Sequence, residues 1–223
     1  YEYVIGEPRS EFTEQSLARL AQIFLKNDDN SKAISVLSRL ENEADFPQNK
    51  TFAQANLMKL FYENKDYPNS VVYAEKVLNN SKTDDNVKSD AQIIIARAAI
   101  QTGDEAKAHS AYAKLQTIAQ GELAAEALYY EAYFKNKDAK FETSNEIVQK
   151  LAKNYSGYKF FGAKGLILMA KNFYGLKDSF QATYILDSVI QNFTDFPDVV
   201  SEAKTELDRI KSEESKTNSS ITN

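Results

Sequence analysis

The chain has 223 residues, 43% of them hydrophobic, with 27 basic against 32 acidic side chains and a net charge of -5. That balance gives no global attraction to nucleic acid or to an acidic membrane surface, and no apolar run reaches the ~18 residues of a spanning helix. There is no Cys, which excludes disulfides, thiol catalysis and thiolate metal sites together.

Seven Gly and four Pro are few for this length, which favours helix, and the prolines fall where helices should begin or end. Residues 1–12, with Gly6 and Pro8 and no helical period, read as a lead-in segment. Because residue 1 is Tyr rather than Met, a leader or further repeats upstream are expected. A helix over 13–26 carries Leu17, Leu20, Ala21 and Phe24 on one face, and Ser31 is positioned to cap the next, with Ala33, Leu37 and Leu40. The linker 41–50 reads as long. Helices then follow at 51–64 and 69–80, with Pro68 in the first turn of the second, and a polar loop covers 81–86. The pair 87–102 and 105–119 is separated by Gly103, suited to a left-handed helix end. In the next pair Glu131 and Lys135 flank Ala132 where apolar residues belong, so either that helix is rotated or the turn at 137–141 is irregular. Helices at 158–176 and 180–193 follow. Pro197 opens a last helix to 213, with Val200, Ala203, Leu207 and Ile210 as its apolar stripe. Residues 214–223 have nothing to bury and read as a disordered tail.

One spacing recurs through this order. A small residue is followed four and then three positions later by larger ones: Ala33-Leu37-Leu40, Ser70-Ala74-Val77, Ala108-Tyr112-Leu115, Ser144-Val148-Leu151 and Ala182-Leu186-Val189. The small residues lie 37, 38, 36 and 38 positions apart. Twelve positions before each stands Ala21, Met58, Ala96, Ala132 or Ala170. Positions i, i+4 and i+7 share a helix face, and a small first residue lets a second helix approach. Twelve residues is one helix plus a turn, so each unit is a pair of antiparallel helices.

The frame, with Phe24, Phe61 and Phe173 before the turns, resembles the tetratricopeptide repeat (TPR), whose period is about 34 residues. The resemblance covers residues 13–193 and implies an all-α fold: an α-solenoid of five helix pairs plus a C-terminal capping helix at 197–213, in a right-handed superhelix. Residues 13–213 form its single domain. Residues 127–213 further resemble the C-terminal repeats of large envelope-associated TPR proteins of Gram-negative bacteria, carried by 158–165, 178–183 and Asn192-Phe193. That likeness places the chain in the periplasm or cell envelope, with the cytoplasm as the alternative.

Chemistry is sparse. His109 has no implied catalytic partner. Gly157, Gly162 and Gly165 lack the Gly-Lys-Ser/Thr that would make a phosphate loop, and fit a turn and close packing. Asp28-Asp29-Asn30 and Asp84-Asp85-Asn86 lack the closing Glu of a calcium hand. No catalytic residue, metal or cofactor is expected, and the chain reads as no enzyme.

What remains is the groove. In TPR stacks the first helix of each pair lines the concave wall, which here holds Gln22, Leu25, Lys59, Tyr62, Arg97, Tyr129, Tyr133, Lys171 and Tyr174. The Asn of the clamp in chaperone-binding relatives is missing, which argues against a chaperone-tail receptor. Lys59, Arg97 and Lys171 hold the same wall position and imply a basic line, unless acids such as Glu63 and Glu126 neutralise it. The tyrosines either face the groove or pack between helices. The resemblance thus implies a non-catalytic scaffold binding a protein or peptide, such as an acidic segment. The alternative is a structural part of a larger multi-repeat envelope assembly with no free-peptide ligand. Oligomeric state stays open.

Overall fold

The computed structural model describes residues 1–221, with side chains to residue 216. Among them every regular element is a helix: α1 (Glu2–Gly6), α2 (Thr13–Lys26), α3 (Asn30–Glu43), α4 (Pro47–Glu63), α5 (Tyr67–Asn79), α6 (Asp85–Thr102), α7 (Glu105–Leu115), α8 (Gly121–Lys137), α9 (Phe141–Asn154), α10 (Lys159–Gly175), α11 (Ser179–Asn192) and α12 (Pro197–Ile221). The fold class is an α-solenoid of five pairs, in which α2, α4, α6, α8 and α10 are the A helices and α3, α5, α7, α9 and α11 the B helices. Two compact units divide the chain, residues 1–114 and residues 115 onward.

The recurring frame is the seam of each pair. All ten of its small positions, from Ala21 and Ala33 to Ala170 and Ala182, are fully buried, the exceptional Met58 included. In the first unit Leu17, Leu20, Leu37, Leu40 and Leu57 fill the space around them. Burying each such side chain contributes about 1.5 to 3 kcal/mol. In the second unit two clusters do the same. Ala132, Val148, Leu151 and Phe161 join α8, α9 and α10, and Ala170, Ala182, Leu186, Ala203 and Ile210 join α10, α11 and α12. Gly165 closes the α9–α10 approach: a Cβ there would stand 3.2 Å from both Leu151 and Val148. Gly157 and Gly162 face open space.

The turn within every pair is the same device. One residue adopts the left-handed conformation, and the next donates its N–H to a carbonyl five positions back, which ends a helix in a Schellman-type motif. The left-handed residues are Asp28, Lys65, Gly103, Ala139 and Lys177. The closing bonds run from Asp29 to Phe24 (3.0 Å), Asp66 to Phe61 (2.8 Å), Asp104 to Ala99 (2.9 Å), Lys140 to Lys135 (2.8 Å) and Asp178 to Phe173 (2.9 Å). Four of the five donors are Asp, and each carboxylate accepts the N–H three residues on, at Lys32, Asn69, Lys107 and Gln181. Asp29, rather than Ser31, therefore caps α3. The fourth pair has Lys140 at that place and no side-chain cap. Its turn is regular in backbone and Ala132 keeps the frame, so its irregularity lies in the missing cap.

Several boundaries differ from the sequence reading. The region 41–50 is mostly helix: α3 runs to Glu43 and α4 starts at Pro47. The extra residues of the period sit in long A helices, of 17 or 18 residues from α4 through α10. The lead-in is docked. Its helical turn α1 places Ile5 against the first core, Arg39 Nη1 donates to the Ile5 carbonyl at 2.6 Å, and Arg9 pairs with Asp45 at 2.5 Å. In α12 the buried stripe is Val199, Ala203, Leu207 and Ile210, with Val200 turned aside. That helix continues past residue 213 to Ile221. The remainder of the expected tail, 222–223, lies outside the described residues.

Candidate functional site

The A-helix positions just beyond each buried small residue point away from the seam and remain accessible in part. In the first unit Lys59 follows Met58, and its Nζ stands 2.6 Å from Asp90 Oδ2 on the next A helix, α6. Tyr62 is half-buried, its ring 5.7 Å from that of Tyr67. Arg97, after Ala96, is half-buried too. Leu25 packs against the first core, whereas Gln22 lines a cleft of about 430 Å3 with Glu11, Gln15, Arg19, Phe46 and Asn49. One wall of this cleft is fixed by Glu14, only 8% exposed. Its carboxylate accepts from the backbone N–H of Asp45 (3.0 Å) and Phe46 (3.2 Å) and from Asn49 Nδ2 (2.7 Å). Glu14 thus ties the start of α4 to α2, using donors a helix start leaves unsatisfied. Phe46, 64% exposed, stands at the rim. The recurring frame points to Gln22 but not to Phe46 or Glu14, because both lie outside it. Their one signal is position, Glu14 in the first turn of α2 and Phe46 immediately before α4.

A second buried carboxylate links α3, α4 and α5. Glu41 accepts from Gln54 Nε2 (3.0 Å) and Lys76 Nζ (2.8 Å). Burial alone would raise its pKa, but these hydrogen bonds and the Lys76 charge outweigh burial and hold it below the usual range.

In the second unit the expected wall residues divide. Tyr129 is buried at 8% exposure, packed edge-on to Tyr130 and 6.1 Å from Phe161, with the Lys164 ammonium 5.9 Å from its ring. Burial pushes its phenol up, well above the ordinary range. Tyr133 is half-buried against Tyr130 and Phe134. Lys171 pairs with Glu202 on α12 at 3.2 Å, and Lys164 shares that carboxylate. Burial alone would raise Glu202; the two lysines outweigh it and lower its pKa. Tyr174 donates to Glu213 Oε2 at 2.9 Å, and Arg209 lies 5.0 Å from its ring. The hydrogen bond to Glu213, followed by burial, raises the Tyr174 phenol.

One polar network was invisible in the sequence. Asn172 is fully buried on α10. Its Nδ2 donates to Ser144 Oγ and Asn145 Oδ1, both at 2.8 Å, and its Oδ1 accepts from Asn136 at 2.7 Å. Ser144 Oγ donates on to the Ala132 carbonyl at 2.8 Å. Every polar atom of the Asn172 side chain is used, so the network fixes the register of α8, α9 and α10.

Among the described residues no three His, Cys, Asp or Glu side chains gather as a metal site, and no helix is long and apolar enough to cross a membrane. His109 is exposed on α7. Of the acidic turns, Asp29 is a helix cap, while the Asp84 side chain makes no capping bond.

Comparison with known proteins fits this geometry. No curated protein matches the chain. Among solved structures, a tetratricopeptide repeat protein from Parabacteroides merdae superposes with a TM-score of 0.70 at 14% identity, over 94% of this chain and 77% of that one. MamA gives a TM-score of 0.64 at 12% identity, over 85% and 96%. YrrB gives 0.62 at 10% identity, over 85% and 90%. At such identities the likeness is one of fold. Residues 3–115 match the family model described as "Pentatricopeptide repeat-containing protein", a repeat of the tetratricopeptide type. That match spans just over half of the 223 residues and the helix pairs recur beyond it, so the chain belongs to this family of tetratricopeptide-type repeat proteins.

Proposed function

We propose that the chain is a non-catalytic scaffold that holds a segment of a partner protein on the A-helix faces of its single repeat domain, 13–213. The observation that carries this reading is the cleft between α2 and α4, where charged, amide and aromatic side chains stand together and open to solvent. YrrB, described as a TPR protein with an unusual peptide-binding site, supports a peptide as the kind of ligand. An acidic segment suits Lys59, Arg97 and Lys171. The pairing of Lys59 with Asp90 does not close that position. Both side chains are well exposed, 49% and 39%, and such a pair contributes only about 0.2 to 1 kcal/mol. Exchanging Asp90 for a partner carboxylate therefore costs little; Lys171 is held more firmly, because Glu202 is about one-third exposed and is shared with Lys164. Tyr62, Tyr133 and Tyr174 add ring surface that costs little entropy to order; Tyr129 contributes by backing Tyr130 and Phe161.

The test is affinity capture from the organism of origin by the parent and by a triple variant, Lys59, Arg97 and Lys171 to Ala, with retained proteins quantified. The triple variant should retain less partner and show a flatter salt dependence. Equal retention with equal salt dependence would refute the acidic-segment reading.

A second reading, a part of a larger multi-repeat envelope assembly, is favoured by the exposed Tyr3 (79%) and Phe12 (59%) at the first repeat. Placement in the periplasm or cell envelope belongs to that proposal.

A further inference from the structure

The outer side of α11 carries an apolar stripe that the pair itself does not use. Ala182, Leu186 and Val189 are fully buried, while Phe180 is 75% and Tyr184 66% exposed. Phe180, Tyr184 and Asp187 stand at i, i+4 and i+7, on one helix face. Lys177 precedes them in the turn. All four side chains are exposed, and none takes part in an ion pair, side-chain hydrogen bond or ring contact among the described residues.

The order along this stripe is cation, ring, ring, anion, and it is self-complementary. A two-fold contact requires that residue i meets residue j while j meets i. In an antiparallel pair of α11 helices centred on position 182, Phe180 meets the partner's Tyr184 and Lys177 meets the partner's Asp187. The rings lie two positions either side of that centre and the charges five, so a single register satisfies both pairs. The two charges of one copy stand at opposite ends of the stripe, Lys177 in the turn before α11 and Asp187 within the helix, and do not pair with each other.

We propose that this face of α11 is the contact of a two-fold homodimer. Each copy supplies two aromatic rings at the centre and one charge to the ion pair at each end, which is the arrangement of apolar core and polar rim found in protein interfaces. The contact is short, below the roughly 1,200 Å2 of a stable interface, so the dimer is weak and forms reversibly.

Sedimentation velocity on the full chain between about 1 µM and 1 mM should show the mass rising from one copy to two. Lys177→Glu or Asp187→Lys alone brings like charges together at both ends and should weaken the dimer by about tenfold or more. The double variant exchanges the two charges, restores both pairs and should return the dissociation constant to within about threefold of the parent. Phe180→Asp should be monomeric throughout, with an unchanged far-ultraviolet circular dichroism spectrum because the ring supports nothing inside its own copy. A parent that stays monomeric across the range would overturn the proposal. So would single variants that dimerise as the parent does, or a double variant no better than either single.

Discussion

The turn between α8 and α9 lacks what its four counterparts have, and supplying it should stabilise the protein. Ala139 holds φ 57, a conformation that costs an L-residue roughly 1 to 2 kcal/mol. Glycine avoids that cost but loses about 0.5 to 1 kcal/mol in backbone entropy. Ala139→Gly should therefore gain about 0.5 kcal/mol. Lys140 occupies the capping position without a cap, and Lys140→Asp should accept from the Thr143 N–H as Asp178 does from Gln181 at 2.9 Å. A cap of this kind contributes about 1 kcal/mol. What is lost is the contact of Lys140 with Asp138, 3.2 Å between two side chains each more than half exposed, which is worth little. Together the two changes should add about 1.5 kcal/mol. For a chain of this size that raises the melting temperature by about 3 to 6 °C, measured by calorimetry or circular dichroism. The reciprocal change, Asp178→Ala, should cost about 1 kcal/mol. If Lys140→Asp gains nothing and Asp178→Ala loses nothing, the repeated cap carries no energy.

Two further outcomes follow from buried polar groups. Asn172→Leu should cost about 2 to 4 kcal/mol, because it takes the partner from the buried Asn145 side chain and from Ser144 beside it, whereas changing the half-buried Asn136 to Ala should cost about 1 kcal/mol; equal melting of both variants and the parent would refute the network. The lowered pKa of Glu202 gives a pH signature. A carboxyl depressed below its ordinary 4.5 stabilises the fold above that pH, and the contribution is lost as pH falls through the folded value. Glu202→Gln should therefore melt below the parent at about pH 7, and the gap should narrow progressively as the pH falls below the ordinary carboxyl range; a gap of constant size across the whole acid range would show that charge is not its source.

The helix pairs were legible because a close helix–helix seam needs small residues at fixed spacing, and Ala33, Ser70, Ala108, Ser144 and Ala182 supply them in phase. The places of the turns were legible in every pair, but their left-handed conformation only at Gly103. At Asp28, Lys65, Ala139 and Lys177 the same left-handed conformation is held by the closing hydrogen bond and neighbouring helices, and no residue type announces it. The wall was legible as positions but not as environments. Lys59 meets Asp90, and Lys171 meets Glu202, each across 31 positions of sequence, a distance at which residue types alone do not reveal partners. Tyr129 shows the same limit: its frame position suits a surface, but the approach of Phe161 and Lys164 buries it. Glu14, Glu41 and Asn172 were missed because a period of apolar residues says nothing about a polar side chain whose partners lie on other helices.

The most direct measurement for the central claim is site-specific photo-crosslinking. A benzophenone amino acid placed singly at Gln22, Tyr62 or Tyr174 on A helices, or at the exposed Val72 on the B helix α5, would be activated in cells of the organism of origin. A scaffold that binds through its A-helix faces should give a common protein adduct at the first three positions and none at Val72. An adduct confined to Val72, with the A-helix positions silent, would contradict it and move recognition to the B helices.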